Sequence, residues 1–150
     1  MAICAAIPMA HTQAQHNWQT YGNARFGYSV CYPADLLRPQ READNGDGRV
    51  FVGPHGATLR VWGGYNAVGD TVAQAKSDAA KRFVSQGYTV TYQVSRPEWF
   101  VLSGAGKGKT FYQRTMLNKD REVSFVLEYP ASDAAIWNPV SAKLSHCLAG

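Results

Sequence analysis

Apolar and polar residues alternate with a period of two along most of this chain, and the period lengthens to that of a helix in only two places. Between residues 25 and 32, Phe26, Tyr28, Val30 and Tyr32 alternate with Gly27, Ser29 and Cys31. This predicts a strand with one aromatic face and one face of small side chains. Pro33 ends its ladder because proline has no N–H to donate. Residues 36–48 read as a polar loop closing on Asp44-Asn45-Gly46-Asp47-Gly48. Residues 49–53 and 57–65 then read as a hairpin across Pro54-His55-Gly56. In its second arm Leu59, Val61 and Tyr65 share one face, and Arg60 and Trp62 the other.

The first helical period spans residues 70–86. Thr71 and Gln74 have the spacing of a capping box, and Val72, Ala75, Ala79 and Phe83 form one apolar stripe. Lys76, Asp78, Lys81 and Arg82 lie largely off that stripe, and Gly87 follows where a left-handed residue commonly stops a helix. Four strands are predicted next, over residues 88–94, 99–103, 109–117 and 122–129, with Asn118-Lys119-Asp120 as the last turn. In the third of them Phe111, Thr115 and Leu117 oppose Tyr112 and Met116. The second helix is expected to start at Asn138 as cap and Pro139 at the first helical position. Val140, Leu144, Cys147 and Leu148 form its buried stripe.

The order β-β-β-α-β-β-β-β-α, with short links, implies an α+β fold: a single domain with a largely antiparallel twisted sheet of six to seven strands packed by two helices. The small-residue face of the first strand admits a helix at close range. The C-terminal helix is expected there, with Cys31 beside Cys147 and the long aromatics facing the other layer.

The 150 residues suit one core, and no repeat or linker divides them. A formal charge of +4 favours acidic partners and is too small and too diffuse to imply nucleic acid. Residues 1–14 contain no charged side chain and read as the apolar run and cleavage region of a signal peptide, with Thr12 and Ala14 at the minus-three and minus-one positions, though without a basic opening. Residues 15–150 are then the mature domain, periplasmic or secreted. No later stretch approaches the ~20 apolar residues of a transmembrane helix. Of three cysteines, Cys4 falls in the signal. The remaining pair, Cys31 and Cys147, reads as a disulfide in an exported protein; two buried free thiols are the alternative.

Residues 26–36, Phe-Gly-Tyr-Ser-Val-Cys-Tyr-Pro-Ala-Asp-Leu, resemble the opening of the PsbP-like superfamily, which includes DcrB-like bacterial envelope proteins. Such domains begin with an aromatic-x-aliphatic-x-aromatic-Pro strand and continue with a hairpin, a helix, further strands and a closing helix. The resemblance covers residues 18–150, with Leu36 near the place where a tryptophan often stands. It implies a non-enzymatic accessory or binding domain and transfers no catalytic residue.

Candidate chemistry is thin. Gly108-Lys109-Thr110 matches the end of a phosphate loop, but Ser103 replaces the first glycine. The alternating residues that follow predict a strand where the phosphate cradle needs a helix. Glu42, Asp44 and Asp47 lack the spacing of a calcium loop. His11, His16, His55 and His146 have no zinc spacing, and His146 and Cys147 point apart on a helix. The expectation is therefore no catalytic site, no metal and no cofactor. The predicted activity is that of a non-catalytic protein-binding module of the bacterial envelope, in one form an immunity or inhibitor protein against a secreted effector toxin. A small envelope hydrolase and a structural accessory subunit are the alternatives. Candidate partner-binding residues are Arg38, Arg41, Asp44 and Asp47 on the first loop, Lys107 and Lys109 on the second, and Trp62 and Tyr65. Gly-flanked aromatics suit a contact surface, and equally a core.

Overall fold

A computed structural model describes residues 15–150; the expected signal peptide lies outside the described residues. The alternation over residues 26–32 takes the form of strand β2 (Tyr28–Pro33), paired antiparallel to a strand the hydrophobic pattern did not reveal, β1 (Trp18–Asn23). β1 was missed because it is largely polar: only Tyr21 and Asn23 are buried. The predicted start at residue 25 is corrected as well. Residues 24–27 are the turn between β1 and β2, and Gly27 takes a positive φ of 64° there.

The two-stranded sheet stands apart from a seven-stranded antiparallel sheet of order β3-β4-β5-β9-β8-β7-β6. Its members are β3 (Arg38–Pro39), β4 (Gly48–Val52), β5 (Thr58–Tyr65), β6 (Thr89–Arg96), β7 (Trp99–Gly106), β8 (Lys109–Leu117) and β9 (Arg121–Pro130). Helix α1 (Val72–Ser85) carries the chain from β5 to the far edge, and a four-strand meander returns β9 to the side of β5. The two-residue turn Lys107-Gly108, both at positive φ, joins β7 to β8, as suits a tight hairpin. The glycine-rich segment is thus a strand end and a turn, followed by a strand.

The two faces of the large sheet have separate cores. On one, α1 buries Ala79 and Phe83 against Phe100, Leu102, Phe111 and Val126, with the Phe83 and Phe111 rings stacked at 3.6 Å. The capping box of α1 is formed in both directions, between Thr71 and the Gln74 N–H and between Gln74 and the Thr71 N–H. On the other face, the β1–β2 hairpin and helix α2 (Ala134–Cys147) lie side by side. Tyr21, Tyr28 and Val30 from the hairpin and Trp137, Val140 and Leu144 from α2 bury against Phe51, Leu59, Phe125 and Leu127.

α2 starts before the expected cap. Pro139 lies inside it, and Asn138 accepts a 2.7 Å hydrogen bond from the Tyr129 hydroxyl instead of capping. The helix tolerates the proline because Ala135, whose carbonyl would have met the missing N–H, is exposed to water. Fully buried Trp137, stacked on Tyr129, holds the early turn on the core. α2 does not lie over the small-residue face of β2: it runs beside the strand, with Trp137, Val140 and Leu144 in the same core as Tyr28, Val30 and Tyr32, while Ser29 and Cys31 stay half-buried. Cys31 and Cys147 nonetheless meet and form a disulfide with their Cα atoms 5.8 Å apart. Such a bridge belongs to an oxidising compartment. No helix among the described residues is long and apolar enough to cross a membrane.

Candidate functional site

α1 covers the β6–β9 part of its face and leaves the β4–β5 part bare. The alternation in β5 points Arg60 and Trp62 into that gap, and register places Val50 beside Arg60, and Val126 and Gln113 beyond it. One wall is the last turns of α1, with Arg82, Phe83 and Gln86; the other is the loop carrying Arg41 and Asp47. Together they enclose a cleft of about 430 Å³.

Its electrostatics are one-sided. Among the described residues four arginines, Arg41, Arg49, Arg60 and Arg82, meet a single lining carboxylate, Asp47. Arg49 is turned away, 3.5 Å from Glu42 and with its guanidinium over the Tyr21 ring. Arg41 reaches Asp44 at 3.2 Å in a pair so exposed that it holds neither charge firmly. Arg60 lies over Trp62 with its guanidinium 5.4 Å from the ring centre. Neither Arg60 nor Arg82 has an ion pair among the described residues. The half-buried Trp62 donates its indole N–H to Glu122 at 3.4 Å, which fixes the ring as the floor. Behind it, buried Gln113, Thr115 and Ser124 satisfy one another in a chain of 2.8 Å hydrogen bonds.

The residues singled out from sequence do not form one surface. Arg41, Asp47 and Trp62 line the cleft, and Asp44 joins them through Arg41. Arg38 lies on the short edge strand β3, opposite Val52. Tyr65 is 70% exposed and packs its ring edge against Phe26. Lys107 lies beside Gly87 at the end of α1, and Lys109 starts β8 opposite Pro130; neither lines the cleft. Sequence reasoning missed Arg60, Arg82 and Gln113 as site residues. The pattern did put Arg60 with Trp62 and took Arg82 off the apolar stripe, but only the crossing of α1 over the sheet brings the two arginines to one opening.

The acids of the first loop are engaged within the protein. Glu42 accepts from Asn23 at 3.2 Å, and the Asp47 side chain from Asn45 at 3.1 Å. Among the described residues no three histidine, cysteine or acidic side chains stand close enough to hold a metal.

The separate hairpin, the seven-stranded sheet and the helix on either side define a PsbP-like fold. In particular, the chain is similar in structure to cyanobacterial PsbP (CyanoP) from Synechocystis sp. PCC 6803, solved in solution, with a TM-score of 0.67. The likeness covers 94% of this chain and 98% of that one at 15% identity, so it speaks to fold alone. No family model matches the chain, and no curated protein matches it by sequence.

Proposed function

We propose that this is an exported, non-catalytic protein-binding module whose arginine-lined cleft receives an acidic segment of its partner. The observation that carries this reading is the convergence of Arg41, Arg60 and Arg82, from a loop, a strand and a helix, on Trp62, with Asp47 as the only opposing charge that the described residues bring to the lining. A concave site of one sign focuses its field on incoming charge and speeds encounter. An aromatic floor and arginine walls are the side chains that carry most energy at protein interfaces. The Cys31–Cys147 bridge and the charge-free residues 1–14 support a periplasmic or secreted location. In its finer form the partner is a secreted effector toxin, and the protein is its immunity factor.

Affinity capture from envelope extract tests the reading. The wild-type protein should retain one stoichiometric partner, and the Arg60→Glu/Arg82→Glu variant should bind it at least tenfold more weakly. Capture indifferent to this charge reversal, or turnover of an envelope substrate by the purified protein, would contradict it. For the immunity form, expressing the captured partner in the periplasm should arrest growth. The wild-type protein should relieve that arrest and the double variant should not.

A further inference from the structure

The opposite face of the sheet holds a second opening, unconnected with the arginine cleft. The β1–β2 hairpin and α2 together cover β4, β5 and β9 and stop short of β6 and β7. The end of α2 and the exposed side chains of β6 thus bound a groove of about 380 Å³, floored by β7 and β8.

Arg114 lies in this groove in an unusual state. Its guanidinium stacks 4.2 Å from the centre of the Trp99 ring. Its Nε is shut off from solvent with no hydrogen-bond partner, and among the described residues the side chain makes no hydrogen bond or ion pair. Among the described residues no aspartate or glutamate lines the groove. Desolvation lowers the pKa of Arg114 from its ordinary value, yet an arginine remains charged at physiological pH. Arg114 is half-buried, with its Nε shut off from solvent, and an incoming carboxylate would give this partly desolvated cation the paired charge-assisted hydrogen bonds it lacks.

The surroundings restrict what can bring that carboxylate. Tyr92, Val94, Trp99 and Val101 give apolar and aromatic walls, and the Tyr112 hydroxyl holds Ser145 at 3.1 Å on the α2 side. The volume is that of a small-molecule site. We infer that the groove between β6 and the end of α2 binds a small aromatic monocarboxylate, its carboxylate on Arg114 and its ring between Tyr92 and Trp99. Arg114 is the arginine that lines the groove, and Arg96 reaches the same Trp99 ring at 5.8 Å from outside the lining, so the groove suits a small anion carrying less charge than the cleft on the other face would take.

Titration of the full ¹⁵N-labelled chain with indole-3-acetate, followed by the tryptophan indole N–H signals, tests this. The Trp99 signal should move saturably while that of Trp62 stays in place. Indole-3-acetamide, with the same ring and no charge, should bind at least tenfold more weakly. Arg114→Gln should erase the difference between acid and amide. His146→Glu, at an exposed position on the groove rim, preserves the packing and should weaken the acid at least threefold. An unmoved Trp99 signal, equal response to acid and amide, or full affinity in His146→Glu would each overturn the assignment.

Discussion

Gly63 shows how much a single position contributes to the assembly of the layers. A Cβ there would stand 2.8 Å from the Phe26 Cβ, 2.9 Å from its Cγ and 3.0 Å from Tyr28. The β1–β2 turn and the start of β2 seat on β5 only because this residue has no side chain. Gly63→Ala should cost about 1–3 kcal/mol, as overpacking does, read from the urea midpoint. Gly64→Ala meets nothing nearer than Glu122 at 3.7 Å and should leave the midpoint almost unchanged. Equal midpoints for the two variants would show that the hairpin does not seat there. The sequence placed Phe26 on an aromatic face and left open what lay beneath it, since the close approach is made across the fold.

Asp35 acts at the same scale. Partial desolvation opposes its ionisation, but hydrogen bonds from His16 and from the Asn17 N–H, each 2.8 Å, outweigh it and hold the carboxyl below its ordinary value of 3.8. A carboxyl with a lowered folded pKa stabilises fully above its unfolded value and loses that contribution as pH falls through the folded one. This clasp, which ties the entry of β1 to the loop after β2, should therefore weaken below about pH 4. In thermal unfolding from pH 6 to pH 2, Asp35→Asn should show a shallower acid limb than the wild type. Parallel curves would remove Asp35 from the account.

Among the elements, legibility followed amphipathicity. α1 was readable to its cap because box, stripe and terminal glycine all act within one stretch of chain. β1 has no such stripe, since its outer face is open to solvent and its pairing with β2 supplies what its side chains do not. The start of α2 was misplaced because Pro139 fits a first turn in isolation, while the burial of Trp137 that draws the helix five residues earlier is a tertiary effect. The disulfide joins these elements across 116 residues. On the chain-entropy view a loop of that length stabilises the fold by about 4–5 kcal/mol. Cys31→Ser/Cys147→Ser should lower stability by that order in denaturant titration, and the non-reduced wild-type protein should leave both thiols blocked to alkylation. Reaction of either thiol without reductant would contradict the bridge.

For the whole molecule, the layers explain both openings. A seven-stranded sheet is wider than the single helix or the helix and hairpin that cover its faces, so each cover leaves one part bare, at opposite ends of the strand order. The fold class was legible because element order and short links restrict topology. The cleft was only half legible: Arg41, Asp47 and Trp62 were named from their local settings, while Arg60 and Arg82 acquire meaning when α1 crosses the sheet. Arg38, Tyr65, Lys107 and Lys109 look equally suited to binding in the sequence, yet lie outside that opening.

Hydrogen exchange of the protein with and without its captured partner measures the central claim directly. Binding through the cleft predicts slowed exchange over residues 41–50, in β5 around Arg60 and Trp62, and in the last turns of α1, with the hairpin and α2 unchanged. Protection confined to the hairpin, α2 or the β6 edge would contradict it.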